Sequence, residues 1–268
     1  AAAWRECRRN FFNAPRLAEV GALIVAVPLL MNALGGWKSV IPRLNPFSWD
    51  LAFHRLDLAL HGGRMPWELL QPLLGHPGVT KALDSAYYAW FILAISMVVW
   101  QAWNPDHRLR ARFFLSFALA WVVLGTGLAT LLSSAGPCYY AEVTGQPSPY
   151  APLMEYLHRA NGEHRLVALW GQAVLWADYL GAVDNPFNGI SAMPSLHVAM
   201  PVLFALAGWR LHRWVGIFFA IYALVTLVGS VHLGWHYAVD GYLSIAAIPV
   251  IWWASGRLVE RWERGWAA

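Results

Sequence analysis

Long stretches without a charged side chain constrain this sequence more than any other feature does. A helix that crosses a bilayer needs about 20 consecutive, predominantly apolar residues. Five stretches of 18 to 25 residues lack Asp, Glu, Lys and Arg: Val20–Trp37, Ser85–Trp103, Phe113–Leu132, Asn185–Trp209 and Trp214–Val231. A sixth, Gly241–Gly256, is short, but aromatic residues can anchor its ends at the interfaces: Tyr237, Trp252 and Trp253. The pattern predicts an all-α, polytopic membrane protein with a bundle of six transmembrane helices.

The composition excludes an ordinary soluble domain. Apolar residues make up 58% of the 268 positions and charged residues 13%, against about 45–50% and about 25% in average soluble domains. A soluble fold needs more polar side chains to cover its surface. We therefore expect the lipid bilayer to surround most of the chain.

The basic residues predict the orientation in the membrane. With six spans and the N-terminus inside, 12 of the 19 basic residues fall on short segments of one side, a bias that marks cytoplasmic loops. Both termini are expected in the cytoplasm. The net charge of +4 then reflects topology, and no nucleic-acid partner is expected. The 12 residues are Arg5, Arg8, Arg9, Arg16, Arg108, Arg110, Arg112, Arg210, Arg213, Arg257, Arg261 and Arg264.

The chain is expected to form a single integral-membrane domain, residues 1–268. Two long loops, Gly35–Asp84 and Ser133–Asp184, fall on the outer side, and loops of this length are usually functional. The first contains a predicted surface helix, Trp49–Leu60, with mixed apolar and charged faces. In the second, Leu166–Ala177 is apolar but too short to span, so we expect it to be re-entrant or to lie on the surface.

The segment Met193-Pro194-Ser195-Leu196-His197 stands at the outer start of the fourth predicted span. Proline suits the first helical position, where its missing N–H costs nothing. The free N–H groups of that first turn, with the Ser195 hydroxyl, would form a cradle for phosphate oxygens. His197 would lie within about one helical turn of the bound anion.

The segment from Ser230 to Asp240 joins the fifth predicted span to the sixth and contains three further polar candidates, His232, His236 and Asp240. On a helix, His236 and Asp240 share one face because they are four residues apart. A carboxylate bonded to one ring nitrogen sets the tautomer and makes the other nitrogen a better nucleophile. The same run of three could instead bind a metal or, through one histidine, a haem.

A third segment, Ser134-Ala135-Gly136-Pro137-Cys138-Tyr139-Tyr140, follows the third predicted span on the same side. Its backbone N–H groups and the phenols of Tyr139 and Tyr140 are candidate donors to an anion. It carries no charge, so a phosphate needs positive partners from elsewhere. The candidates are Lys81, His158, Arg159, His164, Arg165 and His232.

Together the three segments resemble the type 2 phosphatidic acid phosphatase superfamily, whose elements are a first motif with basic residues, Pro-Ser-(Gly)-His, and Ser-Arg-x5-His-x3-Asp. The resemblance is clear over Met193–Asp240 and loose at the first motif. It implies that His236 is the nucleophile, that Asp240 orients it, and that His197 protonates the leaving group. The residues expected to bind substrate are Ser195, Pro194, Pro137, Tyr139, Tyr140, His232, Arg159 and Arg165.

Four residues depart from the family pattern. Ala129 and Gly136 stand where basic residues of the first motif would fall, Ser230 replaces the arginine of the third motif, and Leu196 replaces the glycine of the second. With these four changes, the sequence resembles the branch of the superfamily that includes inositol phosphorylceramide synthases and bacterial relatives.

The resemblance implies a membrane enzyme of lipid metabolism with a single catalytic domain and no cofactor or metal. The expected activity is a phosphatase that acts on a lipid phosphomonoester or pyrophosphate through a phosphohistidine, at the periplasmic or extracellular face of a bacterial cell membrane. The alternative is a lipid phosphotransferase that moves a phospho-headgroup to an alcohol, as in sphingolipid or glycolipid synthesis. A metal- or haem-binding membrane protein without enzymatic activity is a third alternative.

Overall fold

The computed structural model describes residues 14–183 and 189–266, with the side chains of Pro15 and Trp266 not described. These residues form helices joined by loops, and no strand occurs among them. The helices are α1 Ala14–Leu44, α2 Asp50–Leu60, α3 Pro66–Leu74, α4 Pro77–Trp103, α5 His107–Val122, α6 Ala129–Leu131, α7 Tyr140–Thr144, α8 Ala151–Glu163, α9 Val167–Tyr179, α10 Leu196–Leu211, α11 Arg213–His232 and α12 Ala238–Trp266. A π-helical turn, Val123–Leu128, joins α5 to α6, so the two form one continuous rod.

Five helical stretches in the described part of the chain are long and apolar enough to cross a membrane: Arg16–Leu44, Pro77–Trp103, His107–Leu131, Arg213–His232 and Ala238–Gly265. The chain is therefore an integral membrane protein. The expected sixth span is reduced to α10, whose 16 residues measure only about 24 Å along the axis. The predicted start of that span at Asn185 is not confirmed, because residues 185–188 lie outside the described part and Gly189–Ser195 is not helical.

The basic ends of several helices meet at one end of the bundle. Arg110 at the start of α5 donates to Glu19 of α1 at 2.7 Å. Arg108, two residues earlier, pairs with Glu263 near the end of α12 at 2.8 Å. Both motif histidines lie near helix ends at the opposite end of the bundle, so arginines and candidate catalytic groups are separated by the length of the spans.

The helices pack closely where side chains are small. A Cβ added at Gly216 would lie 2.4 Å from the ring of Trp209, and one added at Gly208 would lie 2.9 Å from the backbone of α11. Because lipid tails are as apolar as leucine, close packing of this kind, rather than apolar burial, holds membrane helices together. It fixes α10, which carries His197, against α11.

The predicted surface helix at Trp49–Leu60 is confirmed as α2, which begins at Asp50. One face of it is buried and contains Asp50, Phe53 and Asp57. The apolar stretch at Leu166–Ala177 is also helical, as α9. Its first two N–H groups donate to the carboxylate of Asp84 at 3.0 and 2.9 Å, which anchors α9 to α4.

Candidate active site

The second motif starts α10 two residues later than expected. Ser195 has extended backbone and takes the N-cap position, so Leu196 is the first helical residue and the placement of Pro194 there is wrong. The physical reason is that the Ser195 N–H is bound outside the helix, to the carbonyl of Asp240 at 3.2 Å. The Ser195 hydroxyl is fully buried and has no partner among the described residues. With the first-turn N–H groups, which lack intrahelical acceptors, it leaves donors for an anion.

Leu196, which stands where the family pattern has glycine, packs against the π-helical turn Val123–Leu128. A Cβ added at Gly125, in the π-helical turn, would lie 2.7 Å from Cδ1 of Leu196. Leu196 is 8% exposed and belongs to the main apolar core. The absence of a side chain at Gly125 therefore leaves the space that the Leu196 side chain fills.

His197 packs between aromatic rings of α4. Its ring centroid lies 4.7 Å from that of Tyr87, with the planes 15° apart, and 4.7 Å from that of Trp90. The Tyr87 ring also stacks on Trp235, the residue before His236, at 6.4 Å. His197 and His236 interact electrostatically. The two imidazoles are thus brought into one site, and Tyr87 and Trp90 are neighbours that no sequence motif pointed to.

The third motif is a turn, not a continuous helix. Helix α11 ends at His232, Gly234 has a positive φ of 74°, and α12 begins at Ala238. The carbonyl of Ser230 accepts from the N–H groups of Trp235 and His236 at 2.9 and 3.2 Å, which folds the turn back on itself. The run of His232, His236 and Asp240 is therefore not on one helix face.

The expected pairing of His236 with Asp240 is nevertheless present. His236 Nδ1 lies 3.1 Å from Oδ2 of Asp240, which also accepts from the N–H of Tyr237 at 3.1 Å. Burial lowers the pKa of His236 to about 3; the positive charge of Lys38 lowers it as well, whereas a hydrogen bond with the Ala192 backbone opposes the shift. The imidazole is therefore neutral at pH 7. With Nδ1–H donating to the carboxylate, Nε2 carries the lone pair of a nucleophile.

The first motif holds the other two together. Gly136 has a φ of 101°, and a Cβ there would lie 2.5 Å from the carbonyl oxygen of Trp235. The N–H of Cys138 donates to the carbonyl of Gly234 at 3.0 Å. On the other side, the N–H groups of Ala192 and Met193 donate to Ser134 at 2.9 and 3.2 Å. The loop thus bridges the segments that carry His197 and His236.

Three donors of the first motif are engaged within the protein, and the binding of substrate by this segment stays a prediction. The N–H groups of Ala135 and Gly136 both donate to Asp50 at 2.9 Å. The Tyr139 hydroxyl donates to the carbonyl of Gln172 at 2.8 Å. Pro137 is buried. Tyr140 packs edge-on against the ring of His54, in the apolar cluster around α2.

Two buried carboxylates of α2 support the site, and neither was predicted from the sequence. Asp50 also accepts from the hydroxyl of Tyr237 at 2.9 Å. Asp57 accepts from the N–H groups of Ala238 and Val239 at 2.8 and 3.0 Å, so it caps the start of α12 just after His236. The available signal was their spacing: residues seven apart share one helix face.

The cations expected to bind phosphate are exposed or have partners within the protein, and their role in binding stays a prediction. Arg159 is exposed on α8, and Arg165 is exposed with its carbonyl accepting from Lys81 at 2.7 Å. Lys81 pairs with Asp84 at 3.1 Å. His232 is fully buried, with Nε2 2.9 Å from the hydroxyl of Thr80. His158 and His164 are exposed.

Metal binding gains no support from the geometry. In residues 14–183 and 189–266, no group of three His, Cys, Asp or Glu side chains is arranged to hold a metal ion. His232 faces Thr80, and His236 faces Asp240. His232 therefore does not share a site with His236 and Asp240, although the three are close in sequence.

Comparison with known proteins gave one finding. A family model described as the PAP2 superfamily matches residues 51–255, which is more than half of the chain and includes all three motif segments. Neither the curated proteins nor the solved structures contained a match.

Proposed function

This chain belongs to the PAP2 superfamily, and we propose that it is a lipid phosphatase that hydrolyses a lipid phosphomonoester or pyrophosphate through a phosphohistidine on His236. Members of this superfamily are generally phosphatases or phosphotransferases. The observation that supports the proposal best is the buried His236–Asp240 hydrogen bond, which leaves a neutral Nε2 beside His197 and the unpartnered donors at the start of α10. An imidazole held by a carboxylate is the arrangement of an activated nucleophile.

In the first step, Nε2 of His236 attacks the phosphorus of the substrate and forms a P–N bond. The bond from phosphorus to the lipid oxygen breaks, and its electron pair leaves with that oxygen. Protonated His197 donates its proton to the departing oxygen, so the lipid leaves as a neutral alcohol or as a shorter phosphate. Asp240 stabilises the imidazole through the hydrogen bond at Nδ1 as the ring gains positive charge.

In the second step, neutral His197 accepts a proton from water while the water oxygen attacks phosphorus. The P–N bond breaks, its electron pair returns to Nε2, and inorganic phosphate leaves. His197 ends protonated and His236 neutral, so both groups are restored. A lipid alcohol in place of water would give the transferase reaction.

The surroundings of His197 suit a substrate that arrives from the bilayer. The ring of Phe91 lies 6.0 Å from that of His197, edge to face, and its side chain is 44% exposed. Phe91 belongs to a membrane-spanning helix, so the exposed side contacts lipid. One residue therefore separates the imidazole from the acyl chains, and a phosphate attached to a lipid has a short path to it.

We also propose that the site faces the periplasm or cell exterior of a bacterial cell membrane, with both termini in the cytoplasm. The support is the meeting of arginines Arg108 and Arg110 at the end of the bundle opposite to the histidines. Basic residues at span ends are retained on the cytoplasmic side.

The test is to trap the intermediate with radiolabelled substrates of graded leaving-group pKa and to measure acid-labile phosphate on purified protein. We expect no phosphoenzyme from His236→Ala. His197→Ala should lose about 10²–10⁴-fold with a lipid alcohol as leaving group and recover with an aryl leaving group that needs no proton. Asp240→Asn should fall between, since it misorients His236 without removing it.

His107→Ala is the matched control, because His107 is exposed at the opposite end of the bundle beside Glu263. It should behave as wild type. Phosphoenzyme on His236→Ala would contradict the mechanism, and loss of activity on chelation with recovery on adding zinc would favour the metal alternative. An intermediate that discharges only when a lipid alcohol is added would identify a phosphotransferase.

A further inference from the structure

A phosphate in this site lacks the cations that the family pattern provides. The positions of those cations are occupied by Ala129, Gly136 and Ser230. Ala129 and Ser230 are buried, and the Ser230 hydroxyl donates to the carbonyl of Leu227. A dianionic phosphate still requires positive charge close to its oxygens.

The last turns of α1 lie against the helix end where one of these cations would stand. Trp37 Nε1 donates to the Thr130 hydroxyl at 3.1 Å, and Asn45 Nδ2 donates to the Thr130 carbonyl at 2.8 Å. Lys38 follows Trp37 directly and belongs to the same last turns of α1, which contact α6 through Trp37 and Asn45. Its charge sits on the neighbouring helix instead of on the motif helix.

The loop that leads into the second motif is also pressed onto Lys38. Gly189 has a φ of 89°, and a Cβ there would lie 2.4 Å from the carbonyl carbon of Lys38 and 2.7 Å from its Cβ. Only glycine permits this approach. From Gly189 the chain runs through Ala192, which is bonded to Ser134, to the N-cap Ser195. Lys38 is thus in contact with the loop that forms the anion cradle.

Lys38 has no assigned partner of its own. Across residues 14–183 and 189–266, its ammonium group makes neither an ion pair nor a hydrogen bond, although it is partly buried and its charge acts on both His236 and His197. A partly buried charge without a counterion destabilises the fold, and a bound phosphate would supply the missing counterion.

We propose that Lys38, on α1 and outside the family match at residues 51–255, binds the phosphate oxygens of the substrate in place of the missing motif cations. This rests on the proposed function, because it assigns a binding residue to the same site. The lysine contacts substrate as a point charge and takes no part in the proton transfers.

The test compares Lys38→Met, Lys38→Arg and Lys38→Gln with wild type, using orthovanadate as the phosphate probe and a lipid phosphomonoester as substrate. Losing one charge-assisted contact should weaken vanadate inhibition and raise KM by about 10–100-fold in the Met and Gln variants. Lys38→Arg should recover most of the affinity. The matched control is Arg64→Gln, which removes a cation from the exposed turn between α2 and α3 and should change neither value.

Thermal unfolding separates binding from a structural role. Removing an uncompensated charge should leave the melting temperature of Lys38→Met unchanged or higher, whereas a structural lysine would lower it. Lys38→Met with wild-type vanadate affinity and KM would overturn the inference. A wild-type protein that binds vanadate through Lys38 but forms no phosphoenzyme with any lipid phosphate would refute the proposed function and leave the inference standing.

Discussion

Asp50 should be the most sensitive non-catalytic position in the protein. Its carboxylate accepts hydrogen bonds from the N–H groups of Ala135 and Gly136 and from the hydroxyl of Tyr237. Asp50→Ala leaves these three buried donors without an acceptor. Each such donor costs about 1–3 kcal/mol, and relief of the buried charge offsets part of the sum, so we expect a loss of about 3–5 kcal/mol.

Asp50→Ala should lower both the midpoint temperature of unfolding and the rate of phosphoenzyme formation. For a domain of about this size, 1 kcal/mol shifts the midpoint by about 2–4 °C, so Asp50→Ala should unfold at least about 6 °C earlier in detergent. Phosphoenzyme formation below that temperature should fall by about 10²-fold, because Gly136 holds the turn that carries His236 and a shift of about 1 Å costs that much.

Matched variants on the same helix decide whether the reasoning holds. Leu56→Ala changes an exposed side chain and should shift the midpoint by less than about 2 °C. Asp57→Ala removes the acceptor of two donors and should fall between the other two. Size-exclusion chromatography after stepwise heating measures all three. If Asp50→Ala unfolds together with Leu56→Ala, the hydrogen bonds of Asp50 do not stabilise the site.

Three further outcomes follow from the structure. Gly125→Ala and Leu196→Ala should each lower the free energy of unfolding, and the double variant should lose less than the sum of the two losses by at least about 0.5 kcal/mol, since the two side chains compete for one space; additive losses would contradict the packing. In ¹⁵N NMR of labelled histidines, His236 should stay neutral from pH 8 down to about 5, because burial lowers its pKa to about 3; a midpoint near 6.5 would show that the ring is solvated. A cysteine at Gln146, on a cysteine-free background, should react with a membrane-impermeant thiol reagent from outside intact cells; reaction only from the cytoplasmic side would invert the topology.

The motif residues show which contacts can be predicted from local sequence patterns and which cannot. The pairing of His236 with Asp240 was predicted correctly from a spacing of four, although the turn at Gly234 breaks the helix on which the prediction was based. The placement of Pro194 at the first helical position was wrong, because the N–H of Ser195 binds a carbonyl from another segment. Such an acceptor is 45 residues away in sequence and leaves no local sign.

The sequence by itself determined that the chain is helical, embedded in lipid, and equipped with two histidines and an aspartate near helix ends. A stretch of about 20 residues without charge has one stable environment, in which only a helix satisfies its backbone. Short motifs can also be recognised in the sequence, since their residues are neighbours in the chain.

Only the tertiary structure decided which groups surround those histidines. Asp50 contacts Ala135 across 85 positions and Tyr237 across 187. In sequence, its helix resembled an amphipathic surface segment, and Lys38 directly follows the charge-free stretch Val20–Trp37. Packing brings both to the motifs, because a polar group that leaves water must find a partner inside the protein, and the chain segment that provides the partner is set by how whole helices meet.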